Sequence, residues 1–437
     1  MYTLVLVTKV VLYRIFRPAL RREFSLFSHA PEACRVEASY KFPSQQSQRI
    51  PYHPQAARQA MEDPSPTPRH EIKETHTISA VIFDLDGTLL NTEQVTKAVF
   101  KDFLAKFGKV PDREKESKRM GLVQREAVSS IIEDYDLPLT PDQYIKDILP
   151  LHLGKWALAK PLPGANRLMS HLHNKGVPFA LASNSVRRNI EGKLSYHEGW
   201  KERFAVILGS DQVRLGKPAP DIFREAAKRM NVDAANCLVI EDSVVGVKAA
   251  KAAGMKVVAV PSVNIGIHQF SVADYVLHSI LELQPEIWGL PPFADLVDNV
   301  LPVEPISFKG FYSNGLLNES TDDMLAGLPD QVFGIYMGWA KIYSNKLLKI
   351  VVSIGWENNN CSLERHIKAF LPEGNDENAN DCEMELVLVG YIRGSYGKET
   401  TYALDILDED KCTARSAFCQ PEFSVDACMS LFQQFNE

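Results

Sequence analysis

From residue 78 onward, short apolar runs alternate with amphipathic stretches along the chain. The apolar runs each lie next to a Gly, Pro, Asn or Asp, and they read ISAVIF, PFALAS, FAVILGS, CLVIED and KVVAV. Runs that are apolar throughout predict strands buried on both faces, as in a parallel sheet covered by helices. The pattern therefore predicts a doubly wound, Rossmann-like α/β domain over residues 77–288.

The first two apolar runs are separated by about 95 residues, which is too long for a single crossover connection. Within this insert, TKAVFKDFLAKFGK and REAVSSIIEDY carry apolar residues at spacings of three and four, which indicates amphipathic helices. We predict a helical cap over about residues 93–160, with the core resuming near Pro161 to Gly164.

After residue 303 the pattern changes to that of shorter, β-like runs. QVFGIYMGWAKIY, LLKIVVSIGW and MELVLVGYIR predict a second domain, residues 303–437, that is mostly antiparallel and barrel-like. Residues 289–302 are predicted to be a linker.

Residues 1–76 show no core-forming periodicity and predict a disordered or transit-like lead-in. Five basic residues precede or flank the first acid, Glu23, among apolar residues, as in an organellar presequence. The alternative is that Met61 is the true start. The protein is then expected in the cytoplasm, or in a plastid or mitochondrion if residues 1–60 are a transit peptide.

Composition narrows the class of protein and its partners. The 437 residues are 45% hydrophobic and 24% charged, as in ordinary globular chains, and no apolar run approaches a membrane span. The formal net charge is −7, and residues 1–60 hold nine Lys/Arg and three Asp/Glu, so the remainder carries −13. An acidic body repels phosphate backbones, so nucleic acid is not an expected partner, and without a span a membrane is not expected either. Seven cysteines without a CxxC pair indicate reduced thiols.

The stretch VIFDLDGTLLNTE places Asp84 and Asp86 directly after a buried strand. Ligands of open parallel sheets bind beyond the carboxyl ends of the strands, so this pair lies where chemistry is expected. Asp84 can attack phosphorus, while Asp86 can protonate the leaving oxygen and later deprotonate water. The structural alternative for this motif alone is a turn with two Asx side chains.

Three further strand ends carry polar groups. ALASNS presents Ser183 and Asn184 as donors for a phosphoryl oxygen, and LGKPAPD presents Lys217 in a rigid turn. CLVIEDS ends an apolar strand with Glu241 and Asp242, where adjacent acids are costly without a cation or a hydrogen-bond network. Taken singly, the first is better explained as a helix N-cap, the second as a solvated turn lysine, and the third equally well as an N-cap or as a ligand pair.

The four elements in this order resemble the haloacid dehalogenase superfamily of phosphotransferases. The resemblance implies that Asp84 forms an aspartyl phosphate, that Asp86 is the general acid/base, and that Ser183 and Lys217 bind the phosphoryl group. It also implies Mg²⁺ held by Asp84, the carbonyl of Asp86 and Asp242, with Glu241 beside it. A cap after the first motif is that of the phosphoglucomutase-like branch, in which the cap selects the substrate.

The C-terminal runs GIYMGWA, VVSIGW, LERHI and VGYIRG resemble the riboflavin kinase family. That resemblance implies a catalytic base at Glu364 and a flavin-side arginine at Arg393. The family's glycine-rich loop and Pro-Thr-Ala-Asn motif are not matched by FKGFYSNGLLNESTDD, where Asn318 would keep the Asn and Leu316 would replace the Thr. Because an aliphatic side chain cannot ligate magnesium, we expect kinase activity to be absent or very weak.

An N-terminal haloacid dehalogenase-like unit followed by a riboflavin-kinase-like unit resembles the plant bifunctional FMN hydrolase/riboflavin kinases. The main prediction is a Mg²⁺-dependent phosphatase that hydrolyses FMN to riboflavin. One alternative keeps both activities, a second is a sugar-phosphate phosphatase or mutase, and a third makes the C-terminal half a module that binds riboflavin without phosphorylating it.

Overall fold

The computed structural model describes the chain from residue 77 to residue 434 with short gaps. The described ranges are 77–112, 115, 124–262, 267–320, 327–342, 346–359, 362–372, 381–394, 404–427 and 429–434. The predicted lead-in, residues 1–76, lies outside them. None of the helices in these ranges has the length and apolar character that a bilayer crossing requires.

A six-stranded parallel sheet forms the first part of the described chain. Its strands lie in the order β3-β2-β1-β4-β5-β6, with all neighbours parallel. The strands are β1 (Ala80–Phe83), β2 (Phe179–Ala182), β3 (Val206–Leu208), β4 (Cys237–Glu241), β5 (Lys256–Ala259) and β6 (Tyr275–Val276). The central strands β1, β2 and β4 are buried at every position, so their apolar runs face helices on both sides. The predicted doubly wound sheet is confirmed.

Helices cover this sheet and form the insert after β1. The insert contains α1 (Thr92–Ala105), α2 (Gln124–Asp134) and α3 (Pro141–Leu153). The helices after the insert are α4 (Ala165–Asn174), α5 (Arg187–Leu194), α6 (Trp200–Arg203), α7 (Asp221–Met230) and α8 (Val244–Ala252).

The insert has a hydrophobic core of its own. Phe103 and Tyr144 pack edge to face at 5.0 Å between α1 and α3, and both are buried. The N–H of Asn91 donates to the carbonyl of Lys160 at 2.9 Å, so the two chain segments that connect the insert to the sheet run side by side. The exact domain boundaries stay a prediction.

A closed antiparallel barrel follows, with strand order β10-β11-β8-β7-β12-β9. Its strands are β7 (Leu301–Ser313), β8 (Leu316–Glu319), β9 (Gly334–Ile342), β10 (Leu347–Asn359), β11 (Ser362–Phe370) and β12 (Cys382–Arg393), and the helices α9 (Asp408–Ala417) and α10 (Met429–Gln434) come after it. The predicted antiparallel, barrel-like half is confirmed.

Strands β7 and β8 are joined by a tight turn at Asn314 and Gly315. Ser313 pairs with Leu316, and the two turn residues have φ values of 51° and 82°. Two consecutive positive φ values are the mark of the two-residue hairpin turns that favour Asn-Gly. This is the place where the sequence departs from the riboflavin kinase pattern, and the structure has a minimal hairpin there.

Candidate active site

Asp84 lies at the carboxyl end of β1, in the middle of the parallel sheet. Its N–H donates to the carbonyl of Ile240 on the neighbouring β4 at 3.1 Å, which continues the strand pairing to the motif itself. Three residues on, Gly87 has φ of 84° and starts the turn that leads into the insert. This left-handed conformation costs glycine little, so the turn can present Asp84 and Asp86 at one edge of the sheet.

Lys217 joins two carboxylates at this edge. Its ammonium donates to Asp84 at 2.6 Å and to Glu241 at 2.7 Å, and all three side chains are buried. Burial raises the pKa of Asp84 to about 6, opposed by the charge of Lys217 and reinforced by Glu241 and Asp86. For the lysine, burial acts to lower the pKa, but the two carboxylates outweigh it and the pKa is raised.

Glu241 is fixed by its neighbours on the chain. Its second oxygen accepts from the N–H of Ser243 at 2.6 Å and from the Ser243 hydroxyl at 2.8 Å. A Cβ on Gly246 would come within 1.7 Å of the Glu241 carboxylate, so the first turn of α8 needs glycine to let that carboxylate approach.

Asp84, Glu241 and Asp242 form the acidic cluster of this edge, with carboxylate oxygens within 4.8 Å of one another. Asp242 also accepts a hydrogen bond from the Thr88 hydroxyl at 3.2 Å, which ties it to the turn after β1. Hard oxygen donors at this spacing fit a divalent cation such as Mg²⁺.

The balance of buried charges also supports a divalent cation at this cluster. Among the described residues, four buried carboxylates (Asp84, Asp86, Glu241 and Asp242) lie together with two buried ammonium groups (Lys193 and Lys217). An excess of buried negative charge is costly, so a divalent cation would stabilise the cluster.

Asp86 has a different environment from Asp84. It forms a buried ion pair with Lys193, accepts from the Ser185 hydroxyl at 2.5 Å and accepts from the Ser183 hydroxyl at 3.3 Å. Burial acts to raise the pKa of Asp86, but the charge and hydrogen bond of Lys193, with the Ser185 hydrogen bond, outweigh it and the pKa is lowered. The two aspartates of the motif therefore have pKa values shifted in opposite directions, raised for Asp84 and lowered for Asp86.

Asn184 contacts the main chain of Lys217 with both ends of its amide. It accepts from the Lys217 N–H at 2.8 Å and donates to the Lys217 carbonyl at 3.1 Å. The sequence pattern predicts a phosphate contact for Asn184, and that stays a prediction. The structure shows that Asn184 holds the loop that carries Lys217.

The three candidate residues of the barrel are in different surroundings. Glu364 on β11 and Asn318 on β8 are exposed, and Asn318 pairs in register with Phe311. Arg393 forms a two-pronged ion pair with the buried Asp410 of α9, at 2.7 and 2.8 Å. In the described structure the guanidinium of Arg393 is therefore committed to a helix of its own domain.

Comparison with known proteins matches both parts of the chain. Residues 81–260 match the model of the haloacid dehalogenase-like hydrolases, and residues 317–418 match that of riboflavin kinase. The chain is 44% identical over 358 residues to the bifunctional riboflavin kinase/FMN phosphatase of Arabidopsis thaliana, covering 79% of this chain and 94% of the relative. The chain belongs to this bifunctional family.

The phosphatase part of this family member also resembles shorter enzymes. It is 37% identical to (DL)-glycerol-3-phosphatase 2 of Arabidopsis thaliana, over 50% of this chain and 94% of the relative. It is also 37% identical to a probable pseudouridine-5'-phosphatase of Drosophila melanogaster, over 50% of this chain and 96% of that relative. These names differ in the alcohol that carries the phosphate, so the phosphatase motifs alone leave the substrate open.

Lys193 and Ser185 were not predicted from the sequence of this family member. Lys193 lies on α5, and lysines on short helices are usually solvated, so the residue type alone does not indicate a site residue. A signal was nevertheless present, because Lys193 falls between Ile190 and Leu194 on the helix face that packs against the sheet. A lysine within an apolar helical face indicates a buried partner of opposite charge.

Proposed function

We propose that the N-terminal half is a Mg²⁺-dependent phosphatase that hydrolyses FMN to riboflavin through an aspartyl-phosphate intermediate. The observation that carries the proposal is the buried cluster in which Lys217 bridges Asp84 and Glu241 while Asp86 has its own lysine. Within the described chain this cluster lies at the carboxyl edge of the sheet, where ligands of this fold class bind.

In the proposed reaction, a carboxylate oxygen of Asp84 attacks the phosphorus of the ester and the bond to the leaving oxygen breaks. Asp86 gives its proton to that oxygen, and riboflavin leaves as the alcohol. Asp86 then takes a proton from water, whose oxygen attacks the phosphorus and releases Asp84 and inorganic phosphate. Ser183 and Lys217 would bind the phosphoryl oxygens.

Mg²⁺ would be held by Asp84, Asp242 and the main-chain carbonyl of Asp86, with Glu241 beside them. When bound, the cation neutralises charge on the phosphoryl group, so that an anionic nucleophile can approach an anionic ester. Glu241 orients Lys217, which adds positive charge at the same place.

FMN as the substrate rests on the Arabidopsis relative, whose name includes FMN phosphatase. The competing substrates are sugar and polyol phosphates. A panel of FMN, glycerol 3-phosphate, pseudouridine 5'-phosphate and sugar phosphates, with and without Mg²⁺, tests the assignment. FMN should give the highest kcat/KM, and a higher value for a sugar phosphate would replace it.

Riboflavin kinase activity is the second candidate function, favoured by the match of residues 317–418 and by the name of the same relative. Against it stands the two-residue turn between β7 and β8, which offers few backbone amides to the phosphates of ATP. We propose that the barrel binds riboflavin and phosphorylates it weakly or not at all. Riboflavin-dependent consumption of ATP distinguishes these possibilities.

An organellar location is a further part of this proposal. It is supported by the basic, apolar character of residues 1–22. A fusion of residues 1–60 to a fluorescent protein should enter a plastid or mitochondrion and be cleaved. An uncleaved, diffuse reporter would favour the cytoplasm.

A further inference from the structure

A segment of the barrel half, residues 327–332, lies against the phosphatase site, and we call it the cleft segment. The side-chain amide of Gln331 donates to the carbonyl of Gly87 at 3.4 Å, and Gln331 is buried. Gly87 stands between Asp86 and Thr88, the residues that contact Lys193 and Asp242 respectively. A side chain from the second half of the protein thus contacts the turn that carries the first catalytic motif.

Asp330, next to Gln331, makes a second contact with the α/β unit. It accepts a hydrogen bond from the Ser262 hydroxyl at 2.8 Å, and Ser262 is buried. Ser262 follows β5, where the N–H of Val260 still donates to the carbonyl of Glu241 at 2.7 Å. The second contact therefore lies beside the strand that ends in the acidic cluster.

A third contact connects the cleft segment to the cap. The side-chain amide of Gln94, in the first turn of α1, donates to the carbonyl of Gly327 at 2.6 Å. The segment thus contacts the motif turn, the loop after β5 and the base of the cap.

Arg365 of β11 holds the cleft segment from the barrel side. Its guanidinium donates to the carbonyls of Leu328 and Pro329 at 2.8 and 2.9 Å and pairs with Glu319 at 2.7 Å. The guanidinium carbon also lies 4.8 Å from the centre of the Trp356 ring. Because Glu319 and Trp356 of the barrel fix the guanidinium that binds two carbonyls of the segment, the segment is presented to the phosphatase in a defined position.

We propose that Gln331 and Asp330 are positioning residues of the phosphatase, supplied by the barrel half, which hold the Asp86–Thr88 turn and the neighbouring strand end in the arrangement that binds the divalent cation. The inference rests on the proposed Mg²⁺-dependent phosphatase. At this junction a buried hydrogen bond lies on the motif turn itself, next to the residues that contact Lys193 and Asp242. The residues of the charged cluster all come from the α/β unit, so the loss of a positioning residue should weaken cation binding more than it slows chemistry.

The decisive variant is Gln331→Met, which keeps the size of the side chain and removes its donor. The matched control is Gln420→Met, because Gln420 donates to Asp298 at 2.6 Å outside the α/β unit. Hydrolysis of p-nitrophenyl phosphate is measured across a Mg²⁺ titration of the full chain. We expect Gln331→Met to raise the half-saturating Mg²⁺ concentration by about three- to tenfold. The kcat at saturating Mg²⁺ should fall by a smaller factor, and the control should match the unmodified protein.

A second readout does not depend on turnover. Mg²⁺ should raise the melting temperature of the unmodified chain, and Gln331→Met should need a correspondingly higher concentration for the same rise. An unchanged Mg²⁺ dependence in an active Gln331→Met, or a loss of kcat with no shift in that dependence, would overturn the inference. If the unmodified chain hydrolyses no phosphate ester, the proposed function fails instead, and the melting experiment still tests cation binding.

Ser262→Ala and Asp330→Ala extend the test in case Gln331→Met folds poorly. If their hydrogen bond acts on the cation site, each single variant should raise the half-saturating Mg²⁺ concentration by about two- to fivefold. The double variant should be no worse than the worse single variant. If the effects of the two single variants multiply in the double variant, or if neither variant changes the Mg²⁺ dependence, this hydrogen bond only joins the two halves.

Discussion

The candidate functional residues of the two halves of the protein differ in burial and in charge pairing. In the α/β half, Asp84, Asp86, Lys193 and Lys217 are buried and in contact with partners of opposite charge. In the barrel half, Glu364 is exposed, and the one deeply engaged candidate, Arg393, pairs with Asp410 in its own domain. Buried charge is costly to keep, so a cluster of it is itself a sign of function, whereas exposed or structurally paired residues give no such sign.

The largest effect should come from Asp84→Asn. This change keeps the shape of the side chain but removes the proposed nucleophile and one proposed cation ligand, so turnover should fall by on the order of a thousandfold or more. Phosphate release from FMN measures the loss, and thermal unfolding checks that the fold is intact. Asp295→Asn is the control, because Asp295 forms a surface pair with Arg167 at 2.7 Å. Near-normal turnover by Asp84→Asn would show that the buried charged cluster of the α/β half is not the catalytic site, and burial would then no longer distinguish the two halves.

Asp242→Ala should have the next largest effect. It removes one of the few oxygen donors of the acidic cluster and leaves the Thr88 hydroxyl without its acceptor. We expect the Mg²⁺ concentration for half-maximal activity to rise by on the order of a hundredfold. An unchanged titration would show that Glu241 and Asp242 serve only as the start of α8.

His152 tests how the buried cap responds to acid. Burial, and next the charge of Lys193, lower the pKa of His152 to about 4, and its ring stacks on Trp156 at 5.5 Å. The unfolded chain binds the proton near pH 6.5, so it holds more protons than the folded chain between pH 6.5 and pH 4. Stability should therefore fall as the pH falls through this window, by up to about 3 kcal/mol from this residue.

His152→Phe keeps a flat ring beside Trp156 and removes the titrating group. The loss of melting temperature between pH 7 and pH 5 should be smaller in this variant than in the unmodified protein. His173→Phe is the control, since His173 is an exposed histidine on α4. An equal loss of melting temperature in all three proteins would mean that groups other than His152 cause the destabilisation by acid.

The acids that directly follow apolar strands were predicted from the sequence, and Lys193 and Gln331, which other elements bring in, were not. Asp84 and Glu241 follow apolar runs, and the carboxyl ends of parallel strands meet at one edge of a sheet, so their proximity follows from the pattern. Lys193 comes from a helix, where a lysine is ordinarily solvated. Gln331 contacts Gly87 across 244 positions of sequence, and no local periodicity reports a contact between two domains. The order of the barrel strands was unpredictable for the same reason, since β8 lies between β7 and β11.

The smallest effect is expected in the barrel, from Glu364→Gln. A base contributes nothing unless a phosphoryl donor is positioned near it, and the Asn314-Gly315 turn leaves little backbone for the phosphates of ATP. ATP-dependent FMN formation should therefore be very weak in the unmodified chain and unchanged in this variant. Grafting a glycine-rich loop and a Pro-Thr-Ala-Asn segment between Lys309 and Ser320 should raise it, and Glu364→Gln should then abolish the gain. Robust FMN synthesis by the unmodified chain, lost in Glu364→Gln, would show that the barrel is also an active enzyme. An exposed glutamate would then act as a catalytic base without the burial that distinguishes Asp84.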